Sequence, residues 1–135
     1  MVRDCCLCLH VQRAARTLGR VFDDALRPFG LTNGQFSLLM SLNRPEPPPM
    51  GPVASLLAMD RTTLTAALKP LERRGLVEIS SHPGDRRNRV LKLTAERRTL
   101  LTNALPVWNR THAEIEAKLP AGDPDQLRRS LLALS

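Results

Sequence analysis

The sequence contains no tyrosine, and three phenylalanines and one tryptophan are all the aromatic residues in its 135 positions. Single-stranded RNA is read largely by stacking bases on aromatic rings, so this scarcity argues against an RNA binder. No run of about 18 apolar residues occurs, which excludes a membrane-spanning helix from the reading. Arg3 and Asp4 precede an amphipathic pattern rather than an unbroken apolar stretch with a cleavage site, so no secretory signal is read. The cysteines are Cys5, Cys6 and Cys8. Packed so closely they cannot staple the chain, and a reducing, cytoplasmic setting is expected. Cys5-Cys6-x-Cys8-x-His10 does not make a metal site either, because successive helical positions diverge and tetrahedral ligands want i, i+4 or a hairpin. There is no glycine-rich phosphate loop, no Ser-His-Asp constellation and no implied pair of acids sharing a cleft, so the chain is not read as an enzyme and no cofactor is expected.

Acids are also in deficit. Thirteen Asp and Glu stand against twenty Lys and Arg, a formal charge of +7. That balance favours a polyanionic partner through counterion release. A basic surface is often merely solvated, however, and charge by itself does not decide. The length suits one domain.

The informative stretch runs from Gly51 to Thr94. Pro52 to Leu57 fits a short helix opened by proline, where a missing N–H costs nothing, and Ala58-Met59 fit a tight turn. Asp60 stands where a carboxylate can cap the N–H of Thr62 or Thr63. Leu64, Ala67, Leu68 and Leu71 then follow at i, i+3, i+4 and i+7, the spacing of one buried helical face. The other face carries Thr62, Thr65, Ala66, Lys69 and Arg73, with Arg61 at its start and no acid until Glu72, and Thr63 is a further DNA-binding candidate in the first turn. Arg and Thr suit base edges in a major groove, and Lys suits phosphate. Gly75 ends this helix. Val77 to Ser80 and Arg89 to Leu93 alternate as half-buried strands around the turn residues His82-Pro83-Gly84-Asp85. The two strands form a wing from which Arg86, Arg87 and Arg89 project toward phosphates or a narrow minor groove.

MDRTTLTAALKPLERRGLVE followed by GDRRNRVLKLT resembles the winged helix-turn-helix signature of the MarR family of bacterial transcriptional regulators. The resemblance rests on the helix-turn-helix, on Asp85-x-Arg87 at the wing tip and on the closing Leu93-Thr94. It implies that Arg87 enters the minor groove, that Asp85 orients it, and that the N- and C-terminal helices form a dimer interface. The chain departs from the pattern at Ala58, where a turn glycine is common, at Ala66, where an arginine often follows the threonine, and at Arg97, where a glycine often opens the next helix.

Amphipathic helices flank this stretch. Leu7, Val11, Ala14, Ala15, Leu18, Phe22, Ala25 and Leu26 trace a helical stripe that Pro28 stops, with Arg20 and Asp24 spaced for an i, i+4 pair. Thr32 and Gln35 have capping-box spacing for a helix to about Leu42, with Leu31 and Phe36 as its staple. Residues 43–52, NRPEPPPMGP, read as a rigid loop. After the wing, Thr94 is positioned to cap a helix containing Leu101, Ala104, Leu105, Trp108, Thr111, Ile115 and Leu119. Pro106 removes one hydrogen bond within it, as Pro70 does in the preceding basic helix. Asp123-Pro124 opens a last helix bearing Leu127, Leu131, Leu132 and Leu134. These end helices need apolar cover, supplied either within the chain or by a second copy. A two-fold pair would set two basic helices about 34 Å apart on a pseudo-palindromic operator.

Two routes to signal sensing are open. Cys8 resembles in position the reactive cysteine of the organic-peroxide-sensing branch of the family, near a helix N-terminus that favours thiolate. That branch supports its cysteine with tyrosines, which this chain lacks, and a cysteine is more often a small hydrophobe than a sensor. The other route is a cavity between the terminal helices and the winged part, where family members bind small aromatic or phenolic anions. Arg16, Phe22, Phe36 and Trp108 are the candidates to line it, although aromatics at helical spacing are more often plain core. His82 and His112 read as solvated or satisfied.

The expectation is therefore a mainly α single domain with a small β-hairpin wing: a winged helix-turn-helix over 31–97, with dimerisation helices over 1–30 and 98–135. Its partners are double-stranded DNA, a second copy of itself and a small phenolic or aromatic effector, with no membrane. The competing reading is a winged helix that engages protein partners without specific DNA binding, which calls for an apolar or acidic face where Arg, Thr and Lys stand.

Overall fold

The computed structural model describes residues 1–135 apart from Pro83 and Ala121, with the side chains of His82, Asp85, Arg86, Arg87 and Asn88 also outside the description. Helix α1 (Val2–Cys5) leads into α2 (Leu7–Leu26), which passes through a 3-10 turn (Arg27–Phe29) to α3 (Asn33–Ser41). Helices α4 (Met50–Leu56) and α5 (Arg61–Arg73) come next. An antiparallel hairpin of β1 (Val77–His82) and β2 (Asp85–Leu93) follows, then α6 (Ala95–Glu116) and α7 (Pro124–Leu132). This is the mainly α, hairpin-winged architecture expected from the sequence. No helix among the described residues is long and apolar enough to cross a membrane.

One leucine-rich core ties the winged part together. Leu26, Leu38, Leu39, Leu42, Leu64, Leu68, Leu71, Leu76 and Leu91 are fully buried in a single cluster. The capping box at α3 forms on both sides: Thr32 Oγ1 accepts from the Gln35 N–H at 3.1 Å, and Gln35 Oε1 accepts from the Thr32 N–H at 3.1 Å. Leu31 and Phe36, the staple positions, are both buried.

Four local expectations are corrected. Helix α4 starts at Met50 with Pro49 as its cap, so Pro52 is the third helical residue rather than the first; that position also has a free N–H, which makes proline equally tolerable. The wing strands run further toward the tip than residues 77–80 and 89–93, with Ser81 opposite Arg89 and His82 opposite Asp85 across an irregularity. Arg86 and Arg87 therefore belong to β2 together with Arg89 and not to a loop. Thr94 flanks α6 without a side-chain cap, and its hydroxyl donates instead to the Gly75 carbonyl at 3.2 Å. Asp24 pairs with Arg27 at 2.5 Å, while Arg20 turns to Thr17, so the i, i+4 pair is not made. Helices α5 and α6 both continue through their internal prolines, Pro70 and Pro106.

The α4–α5 turn carries strain. Met59 N–H donates to Ala54 O at 2.9 Å and Ala58 N–H to Ser55 O at 3.1 Å, a double helix-ending bond pattern. It forces Ala58 to a φ of 52°, a left-handed conformation that is unfavourable for a residue with a Cβ. Ala58→Gly should therefore stabilise the fold by about 0.5–1 kcal/mol in thermal or urea melts; an unchanged or lower midpoint would show that the turn carries no such cost.

Candidate nucleic-acid interface

Helix α5 is oriented by its apolar stripe. Leu64, Leu68 and Leu71 are each 0% exposed, which rotates Thr62, Thr65, Ala66, Lys69 and Arg73 outward. Arg61, Thr62, Thr63, Thr65, Lys69 and Arg73 are all exposed, so the cationic and hydroxyl side of the helix is not covered by its own chain. Among the described residues, none of Arg61, Lys69, Arg73 and Arg89 joins an ion pair. A row of cations not engaged in ion pairs is electrostatically suited to phosphate.

The start of α5 is fixed by Asp60, whose carboxylate accepts the Thr63 N–H at 2.6 Å. That bond is the main reason its pKa lies below the ordinary aspartate value. Thr65 Oγ1 donates to the Arg61 carbonyl at 2.7 Å. Its proton is thus used internally, leaving the oxygen as an acceptor for a base amino group and the methyl for a thymine methyl. The Arg61 guanidinium reaches back over α4, where a Cβ on Gly51 would meet its Nη2 at 3.5 Å.

The hairpin root is firm. Val77 and Leu91 are buried, and the Leu91 N–H donates to the Pro48 carbonyl at 3.0 Å, with Pro49 bridging Val90. Arg89 is exposed on β2. The side chains of Asp85, Arg86 and Arg87, the wing-tip candidates, lie outside the described residues.

The aromatic candidates come together, with one exception. Phe22 and Phe36 stack on Trp108 with centroids 5.9 and 6.1 Å apart. A cavity of about 270 Å³ lies among Phe22, Phe36, Asn33, Ser37, Trp108 and His112. Arg16 is not part of it; its guanidinium points along α2 to Gln12 Oε1 at 3.4 Å. The sequence reading missed His112, which stacks on Trp108 at 4.6 Å, and Asn33, whose backbone and side-chain N–H groups both donate to Asp23. The i, i+4 spacing of Trp108 and His112 was the available signal. Cys8 is exposed at the second position of α2, with Gln12 Nε2 at 3.2 Å from its Sγ. Among the described residues no cluster of metal-type ligands occurs.

Comparison with known proteins agrees with this geometry. The model of the MarR family matches residues 31–88. The structure is similar to that of the M. tuberculosis transcriptional regulator MosR in complex with DNA, at 40% identity and a TM-score of 0.86, covering 96% of this chain and 92% of that one. It is similar also to the transcriptional repressor CouR bound to a 23-mer DNA duplex, at 30% identity and a TM-score of 0.78, covering 95% and 90%. CouR from Rhodococcus jostii RHA1 bound to p-coumaroyl-CoA matches at 25% identity and a TM-score of 0.81, covering 97% and 92%. A helix-turn-helix with an open cationic face and an adjoining hairpin is a winged-helix DNA-binding module. The chain belongs to the MarR family of DNA-binding transcription regulators, which are not enzymes.

Lys69→Ala is expected to weaken binding by a similar factor on specific and non-specific duplexes and to lower the slope of log K against log salt by about one. Titrations at several salt concentrations measure this, and an unchanged slope would remove Lys69 from the phosphate contacts.

Proposed function

We propose that this protein is a homodimeric repressor that binds a pseudo-palindromic operator and is released by a small effector. The observation that carries the reading is the open α5 face, where Arg61, Thr62, Thr65, Lys69 and Arg73 are exposed and free of acid partners among the described residues. Helix α5 lies in the major groove, with Thr62, Thr63, Thr65 and Arg73 toward base edges and Lys69 on phosphate. The wing places Arg86, Arg87 and Arg89 at the adjoining minor groove, with Asp85 orienting Arg87.

Dimerisation through residues 1–30 and 98–135 is supported by apolar surface with no cover inside the chain. Leu7, Val11 and Leu18 on α2 are 67%, 40% and 38% exposed, and Leu131, Leu132 and Leu134 are also exposed. Patches of this kind mark association surfaces. Repression is the reading carried over from CouR, which is described as a transcriptional repressor.

Two effectors have support. The cavity beside Trp108 is walled by stacked rings and suits a flat aromatic or phenolic ligand, in keeping with the p-coumaroyl-CoA bound by CouR. Cys8 is exposed near a helix N-terminus, the setting in which a thiolate attacks a peroxide oxygen to give a sulfenic acid and an alcohol.

Mobility shifts on the promoter of its own gene test the proposal. Arg87→Ala should cost about 1–3 kcal/mol of operator affinity with little change in thermal midpoint; undiminished affinity would dismiss the wing assignment. Release of DNA by an organic hydroperoxide should vanish in Cys8→Ser if the cysteine is the sensor. Release by hydroperoxide that persists in this variant ends the oxidant route. The aromatic route stands on quenching of Trp108 fluorescence by 4-hydroxybenzoate or p-coumaroyl-CoA, and falls if neither ligand alters it.

A further inference from the structure

The C-terminal end of α5 is tied to both flanking helical segments, by side chains from the α6 side and by its own Arg74 toward the turn after α2. Its last turn closes on itself through Gly75 N–H to Glu72 O at 2.9 Å and Leu76 N–H to Leu71 O at 2.8 Å, with Gly75 at a φ of 68°. The Arg74 and Gly75 carbonyls are claimed from α6 and the residue at its N-cap position: Arg97 Nη2 donates to Arg74 O at 3.0 Å, and Thr94 Oγ1 to Gly75 O. In the opposite direction Arg74 Nη1 donates to the Gly30 carbonyl at 2.9 Å, at the end of the 3-10 turn that follows α2. The fit at Gly30 is close. Its φ is 67°, and a Cβ there would meet Arg74 Nη2 at 3.1 Å. Arg97 is drawn inward far enough that its Nε is buried with no partner among the described residues. A buried donor left unmade is a cost that the Nη2 bond and the negative end of the helix dipole offset.

We infer that Arg74 and Arg97 are positioning residues for operator binding: a two-arginine clamp fixes the recognition helix against both α2 and α6 and so sets the separation of the two recognition helices in the dimer. Neither arginine has an acid partner among the described residues, and both point at backbone carbonyls. Carbonyls belong to the rigid helical frame and not to a mobile side chain, so the clamp transmits any tilt between α2 and α6 directly to α5. The inference rests on the dimeric operator-binding reading above.

The test uses the full-length protein and duplexes carrying two half-sites at native spacing and at one base pair more or less. The wild type should bind the altered spacings at least about tenfold more weakly, because each base pair displaces and rotates a half-site. Arg74→Gln with Arg97→Gln should bind the native spacing about tenfold more weakly and discriminate among spacings by no more than about threefold, with an unchanged salt slope and an intact dimer by sedimentation. Arg74→Lys with Arg97→Lys, which keeps a cationic donor of comparable reach at each position where glutamine offers only a shorter neutral amide, should restore most of the discrimination and serves if the glutamine variant fails to fold. A glutamine variant that retains wild-type spacing preference overturns the clamp, as does a salt slope reduced by about one per arginine, which would make these residues phosphate ligands. A wild type indifferent to spacing overturns the two-half-site reading itself.

Discussion

Three leucines decide which side of the recognition helix the solvent sees. Fully burying a leucine is worth roughly 1.5–3 kcal/mol, and truncating one in a packed core costs about 2–5 kcal/mol. Leu64, Leu68 and Leu71 are all fully buried, so no other rotation of α5 competes. Individual exposed charges contribute at most about 1 kcal/mol and have no power to choose the orientation. The cationic face is thus a consequence of packing: Lys69 and Arg73 are free to meet DNA because the leucines on the far side have nowhere else to go. Asp60 refines the result by fixing where the helix begins, and Gly75 by letting it end in a left-handed turn.

The same physics separates two kinds of apolar surface. Around α3, α4, α5 and the hairpin, leucines are enclosed by their own chain. Along α2 and α7 a comparable periodicity is left open, with Leu7 at 67% and Leu132 at 71% exposed. Both patterns look alike in sequence, since hydrophobic period reports an amphipathic helix but not what covers it. The enclosed set is anchored by neighbours on several elements. The open set sits at the chain ends, where α7 is tied to α6 by the ion pair from Arg128 to the half-buried Glu116, while the pair from Arg128 to Asp125 lies within α7 itself and no α7 residue is buried.

Sequence reasoning therefore succeeded where a residue type has one structural meaning. Asp60, Thr32-Gln35, Gly75 and Asp123-Pro124 marked helix ends that the structure places as expected, because capping chemistry is local. Hidden from it were contacts between residues far apart in the chain. Thr94 had the right type and position for a cap, yet its hydroxyl serves Gly75, nineteen residues away. Arg16 had the right charge for a ligand-binding residue, but it faces Gln12 along its own helix, and His112 takes a place at the aromatic cavity. Arg97 was legible only as a departure from a family pattern, and its role as a carbonyl donor needed the fold.

The proline-rich connector shows how a residue with one missing donor can be matched to a place where a donor is unwanted. The outer edge of β2 presents an N–H at Leu91, and the carbonyl of Pro48 accepts it at 3.0 Å while Pro49 bridges Val90. An ordinary strand docked there would offer its own N–H groups outward and create a new edge open to pairing with another chain. Prolines accept without donating, so the connector covers this part of the edge without offering a new row of donors. The connector thereby does two things at once. It fixes Met50 at the start of α4, the helix against which α5 packs, and it holds the root of the wing. Helix α5 and the wing are consequently referenced to the same short, stiff segment, which keeps them in register as one surface.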